Sequence, residues 1–195
     1  RSLIVLALPG KAETAIKQVA LIVSLVTAGF ALYLTLGLDL TSGAIQLSEK
    51  YDWIPSFGIS WSLGVDGIAA LLIVMATVLV PLVIIAGWWD AENSGKGSVK
   101  GFFTWVLLLE ACMIGVFAAT DVFLFYVFFE VMLIPVYFLI GRYGGDKRGY
   151  AAMKFLLYSL AGGLFMLASL IGLYVASGRV LGEGTFDFAQ LTTLH

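Results

Sequence analysis

Polar residues in this chain are confined to short runs between long apolar blocks. The blocks cover Thr14–Gly37, Gly64–Trp89, Lys100–Ala119, Val122–Arg142 and Tyr150–Ser177. "LDLTSG", "DAENSGKGS", "TD" and "GGDKRG" lie between or beside them. Each block reaches the roughly 20 residues that a helix needs to cross a bilayer core of about 30 Å. Backbone groups in lipid must pair within their own segment, so the pattern predicts five transmembrane helices. The apolar stretch Ser2–Pro9 is too short to cross. It reads as the tail of a helix, residues 1–9, whose start is missing. "GTFDFAQLTTLH" at the other end reads as a loop or the approach to a further helix. The expectation is a single membrane domain over residues 1–195, part of a longer protein.

Between the first two full blocks, the pattern changes period. In residues 38–63, "AIQLSE" and "ISWSL" alternate apolar and polar positions, and "DWIPSFG" supplies turn residues between them. Alternation at period two predicts two short strands in a hairpin. The competing reading is an irregular interfacial loop anchored by Trp53, Phe57 and Trp61.

Composition strengthens the membrane reading. The chain is 61% hydrophobic and 12% charged, against about 25% charged residues in ordinary soluble domains. With a net charge of −2 and no basic cluster, nothing points to nucleic acid. Cys112 is the lone cysteine and His195 the lone histidine, which leaves no intrachain disulfide and no metal-ligand pattern. Alternating loops place Lys11, Lys17, Lys96, Lys100, Arg142, Lys147 and Arg148 on one side, and Lys50 and Arg179 on the other, with Arg1 at the start of the chain. By the positive-inside rule the first side is cytoplasmic and the 38–63 loop lies outside. The expected location is a membrane, crossed several times.

Two acids interrupt the apolar blocks. Glu130 is the only charged residue in "FLFYVFFEVMLIPVYFLIG", and Glu110 lies within "FFTWVLLLEACMIGVF". Each is ten residues from Thr120 in the turn that joins the two blocks. At 1.5 Å per residue both sit about 15 Å deep, near the midplane. Acids there are rare and face a bundle interior or a water-filled path, which points to a proton relay. The structural reading is a neutral glutamic acid hydrogen-bonded between helices as packing glue. Tyr126 and Tyr137 share a helical face with Glu130, and Pro135 frees the carbonyl of Val131.

Lys154, near the start of the last block, is either a cation that tunes proton affinity or a side chain snorkelling to the interface. Asp66 and Asp121 sit where helix N-caps belong. Ser159, Gly163, Ala168 and Gly172 are small enough to be close-packing contacts.

The stretches "FLFYVFFEVMLIPVYFLIGRYGG", "LGVDGIAALLIVMATVLVPLVIIAGWW" and "MKFLLYSLAGGLFMLASLIGLY" resemble the chain M (subunit 4) family of respiratory complex I, the proton-pumping NADH:quinone oxidoreductase. The resemblance runs from about Lys11 onward. It implies an all-α, polytopic transmembrane helix bundle, here the N-terminal part of an antiporter-like subunit with about fourteen helices and two inverted half-repeats. The family's essential glutamate falls on Glu130, its second acid on Glu110, its "KF-x-LY" lysine on Lys154 and its "G-x-DG" aspartate on Asp66. The family's lysine-bearing broken helices would fall beyond His195.

The resemblance further implies a translocase subunit with no cofactor of its own. Flavin, iron–sulfur clusters and quinone would belong to partner subunits. The partners would be other membrane-arm subunits, above all neighbouring antiporter-like chains, together with the lipid bilayer. Two other functions stay open at this point. One is a subunit of a multisubunit cation/proton antiporter that uses no NADH. The other is a membrane scaffold that transports nothing.

Overall fold

The computed structural model describes residues 13–39, 43–89 and 98–193. The expected partial helix at residues 1–9, most of the Asp90–Val99 loop and His195 lie outside those residues. Among the described residues, five helices are long and apolar enough to cross a membrane: α1 (Glu13–Leu36), α2 (Gly67–Ala86), α3 (Val99–Ala118), α4 (Val122–Tyr143) and α5 (Arg148–Leu181). A short α6 (Phe188–Leu191) follows. The chain is an all-α transmembrane bundle with an extramembrane hairpin.

The hairpin consists of β1 (Gln46–Ile54) and β2 (Ile59–Val65), antiparallel, with Tyr51 opposite Trp61 and Ile54 opposite Ile59. A 3₁₀ turn, Pro55–Phe57, joins them. Gly58 closes that turn in the left-handed region at φ 64°, and a Cβ there would lie 3.0 Å from the Gly184 carbonyl oxygen. Both backbone conformation and space require glycine. β2 also takes Gly64 and Val65. The second crossing helix therefore starts at Gly67, three residues later than its apolar block, behind an N-cap at Asp66 whose carboxylate accepts from Ala69 N at 2.7 Å.

The bundle core lies where α1, α2 and α3 meet. Ile16 and Ala20 pack with Val80, Ile84, Phe103 and Leu107. Lys17 joins them at this end of α1, with its Nζ 5.4 Å and 5.1 Å from the ring centroids of Trp88 and Trp89. Its stem lies along apolar surface and its ammonium meets two aromatic faces, so a cation is held at 2% exposure.

α3 is the central and most buried of the crossing helices, and α5 lies at the edge and is the least buried. The 34 residues of α5 extend about 51 Å, well beyond a ~30 Å apolar core. Its outer end thus projects into the hairpin layer. There Gly182 ends the helix in the left-handed region at φ 87°.

Candidate functional site: an acid between two transmembrane helices

α4 and α5 are joined by a short turn and pack antiparallel, and their register can be followed along the whole seam. A Cβ on Gly141 would lie 3.3 Å from the Ala152 methyl, and the Tyr137 hydroxyl donates to Met153 Sδ at 3.7 Å. Further out, Glu130 reaches Gly163, and Tyr126 packs into a cluster that contains Leu170 and Phe186. Tyr126, Glu130, Tyr137 and Gly141 therefore line one face of α4, as their spacing predicts. The tyrosine hydroxyl at 137 is directed to sulfur rather than to the acid.

Glu130 Oε1 is fully buried and has no hydrogen-bond partner among the described residues. It presses against the backbone of α5 at Gly163, where any Cβ would collide with it. Eight residues separate Glu130 from the first residue of α4, and eight separate Glu110 from the last residue of α3. Each acid is thus about 12 Å inside its helix from the shared turn. Similar depth does not mean a shared interface. Phe128 marks the side of α4 that meets α3, because a Cβ on Gly115 would lie 2.6 Å from its ring. Glu130 is two residues on, which turns it about 160° away. Glu110 is fully buried on the face of α3 that carries Phe103, Val106 and Leu107, toward α1 and α2.

Lys154 is not brought to Glu130. It precedes Gly163 by nine residues, a rotation of about 180° around α5. It is exposed, with its Nζ 5.8 Å and 5.9 Å from the ring centroids of Tyr150 and Tyr158. Two exposed tyrosines, one turn on either side, flank the ammonium on this face of α5.

The acids at the hairpin end have a different chemistry. Asp121 is fully buried and caps α4. Its Oδ1 accepts from Phe123 N at 2.9 Å and Leu124 N at 3.1 Å, and its Oδ2 accepts from Ser60 N at 3.0 Å and Ser60 Oγ at 3.1 Å. Asp187 caps α6 and pairs with Lys50 Nζ at 2.6 Å. Burial pushes the Asp187 carboxyl up. The Lys50 hydrogen bond and charge, with backbone N–H donors, outweigh that and leave it below the usual carboxylate range. Backbone bonds from Thr120 N to Ser62 O, Val122 N to Phe186 O and Phe188 N to Thr120 O lock hairpin, turn and tail into one layer.

Of the small residues expected as close-packing contacts, Gly163 is one, since a Cβ there would meet Glu130, whereas a Cβ at Gly172 would meet nothing within 4 Å; the sequence did not show that the group packed on Gly163 is the acid. The Lys50–Asp187 pair joins residues 137 positions apart, for which a single sequence carries no signal. Among the described residues no group of three or more His, Cys, Asp or Glu side chains is placed to hold a metal ion.

Comparison with known proteins adds a family to this geometry. A family model described as "NADH:quinone oxidoreductase/Mrp antiporter, TM" matches residues 119–195. "NADH-quinone oxidoreductase subunit M" of Mycobacterium tuberculosis is 41% identical over 97% of this chain and 38% of its own length. A chain of respiratory complex I from Thermus thermophilus with bound NADH superposes with a TM-score of 0.76 at 31% identity, over 97% of this chain and 36% of that one. The Mrp complex of Dietzia sp. contains a chain with the same fold, with a TM-score of 0.74 at 22% identity over 93% of this chain and 19% of that one. The chain thus spans less than two-fifths of the length of the relative from Mycobacterium tuberculosis. This multi-pass membrane protein belongs to the family of antiporter-like membrane subunits that complex I and Mrp antiporters share.

Proposed function

We propose that this chain is part of a proton-translocating membrane-arm subunit of an NADH:quinone oxidoreductase, and that Glu130 carries the proton. The observation behind this reading is the buried Glu130 Oε1 without a hydrogen-bond partner among the described residues, held between two crossing helices. A carboxyl used as packing glue donates and accepts between helices. One with an unused oxygen at membrane depth is able to change protonation when water or a cation reaches it. Glu110 serves the same path from the other side of α3 in this reading, and Lys154 adjusts its electrostatics from the outer face of α5. Oxidation of NADH and reduction of quinone belong to partner subunits that hold flavin and iron–sulfur clusters. The residues of this chain take up, hold and release protons. Neighbouring antiporter-like subunits in a bacterial plasma membrane are the partners.

A second reading, a subunit of a cation/proton antiporter, is favoured by the family description, which names both kinds of complex. Purification of the full-length tagged subunit in mild detergent separates them. Co-purification of hydrophilic flavin and iron–sulfur subunits, with NADH-driven acidification of vesicles, is the expected result. A complex without them, which exchanges protons for cations but ignores NADH, would replace the first reading with the second.

A further inference from the structure

Glu130 of α4 presses on a residue of α5 that has no side chain to yield. We propose that Gly163 is a positioning residue for Glu130: the missing side chain at 163 is the seat that holds the carboxyl against the α5 backbone. The proposal rests on the relay reading above.

Three observations carry it. First, a Cβ at 163 would collide with Glu130 Oε1 and lie 2.8 Å from Cδ and 3.4 Å from Oε2, so the whole carboxyl group occupies the space a side chain would take. Second, the obstructed atoms form the free end of a flexible side chain, not backbone or a packed ring. An added methyl therefore moves the carboxyl rather than the helices. The tight glycine that α4 meets on its other side, Gly115 of α3, differs. A Cβ there would meet the Phe128 ring, which is held against Trp61 at 5.7 Å between centroids. Third, the adjacent Gly162 is exposed, and a Cβ there would meet nothing within 4 Å. Two consecutive helical glycines thus offer the same chemical change in opposite surroundings. Gly→Ala at either site raises intrinsic helix propensity equally. The difference between the two variants isolates the contact with the acid.

Seating matters because proton transfer needs the carboxyl within hydrogen-bond reach of its donor or acceptor. A displacement near 1 Å at a reacting group is enough to cost about a hundredfold in rate. The methyl introduced by Gly163→Ala would force a shift of at least that order. Shortening the acid relieves it, since Glu130→Asp draws the carboxyl back along its own side chain by one methylene, about 1.5 Å.

The test uses the full-length subunit in its assembled complex, with NADH-driven proton pumping measured in vesicles and normalised to complex content. Gly162→Ala is expected to assemble and pump as the parent does. Gly163→Ala is expected to assemble at the parent level and to pump about tenfold to a hundredfold more slowly. In the Glu130→Asp background, Gly163→Ala is expected to cost nothing further, which a merely structural glycine would not produce. Equal pumping by Gly163→Ala and Gly162→Ala overturns the proposal, and so do losses from Gly163→Ala and Glu130→Asp that simply multiply. If Gly163→Ala fails to assemble, recovery of assembly by Glu130→Asp supports the seat, and no recovery overturns it. Glu130→Gln in the same assay separates the two levels. Normal pumping there removes the relay reading, whereas a dead Gln variant beside a normal Gly163→Ala removes only the seat.

Discussion

Asp121 and Glu130 are nine residues apart at the start and in the body of one helix, and the protein treats them in opposite ways. Asp121 accepts four hydrogen bonds, two from the first turn of α4 and two from Ser60 of the hairpin. Every acceptor direction that matters for the fold is used. Glu130 has one buried oxygen with no partner among the described residues. Buried polar groups in folded proteins are nearly always paired, because an unpaired one costs a few kcal/mol. The first acid fastens the outer layer to the bundle. The second makes no such bonds with its buried oxygen, and the proton reading proposed above gives it a use at that depth. Four hydrogen bonds hold the Asp121 carboxyl in one place, whereas the buried Glu130 oxygen has room for a new partner.

That contrast is best broken at Asp121. Asp121→Ala leaves Ser60 N, Phe123 N and Leu124 N without their side-chain acceptor. The expected loss is about 3 kcal/mol, combining a helix cap and buried donors. A lower melting temperature of the detergent-solubilised protein and faster proteolysis in the 46–65 hairpin would register it. Parental stability would mean that Asp121 is no anchor.

A smaller effect is expected at Gly115. Gly115→Ala pushes a methyl into the Phe128 ring and should destabilise by about 1–3 kcal/mol, seen as a lower melting temperature. Gly163→Ala in the same assay should not lower the melting temperature, because it displaces only a side-chain end. Equal melting shifts at the two sites would erase the distinction between structural and functional close approach.

The smallest effect concerns Lys50 and Asp187. The Asp187 carboxyl in the fold lies below its ordinary value of 3.8. A lowered carboxyl contributes stability that is present above that ordinary value and is lost as pH falls through the folded one. The lysine is 49% exposed, so screening limits the pair to less than about 1 kcal/mol. Asp187→Asn should therefore speed amide exchange slightly in β1 and α6 at neutral pH. The difference should vanish once the pH is well below 3.8. A difference that persisted there would show that the pair acts through packing rather than charge.

Much of this fold was legible because the bilayer restricts the choices. Long apolar blocks between Glu13 and Leu181 had to become helices, and the alternation in residues 44–49 and 59–63 marked the place where a hairpin formed. Asp66 and Asp121 stood at block edges, so their capping role followed from position. The facing of each helix was not legible. Lipid-facing and core-facing residues are both apolar here, so periodicity does not separate them. Hence equal spacing from Thr120 gave the depth of Glu110 and Glu130 but not their separate interfaces. Lys154 sat on the same apolar block as Gly163, and only the helix phase shows that it points the other way. Lys17 counted as a loop-side charge in sequence, but Trp88 and Trp89 draw it into the core.

The proposed division of labour gives Glu130 the proton and Asp121 the structure. Glu130→Gln in the assembled complex separates the two roles, with NADH-driven proton pumping measured in vesicles of matched complex content. Glutamine keeps the size and hydrogen-bonding capacity of a neutral glutamic acid but holds no exchangeable acid proton. The expected result is normal assembly, normal NADH oxidation by an artificial acceptor at the peripheral subunits, an unchanged melting temperature, and pumping reduced about a hundredfold or more. An assembled Gln variant that pumps at the parental rate would contradict it and make Glu130 a packing residue.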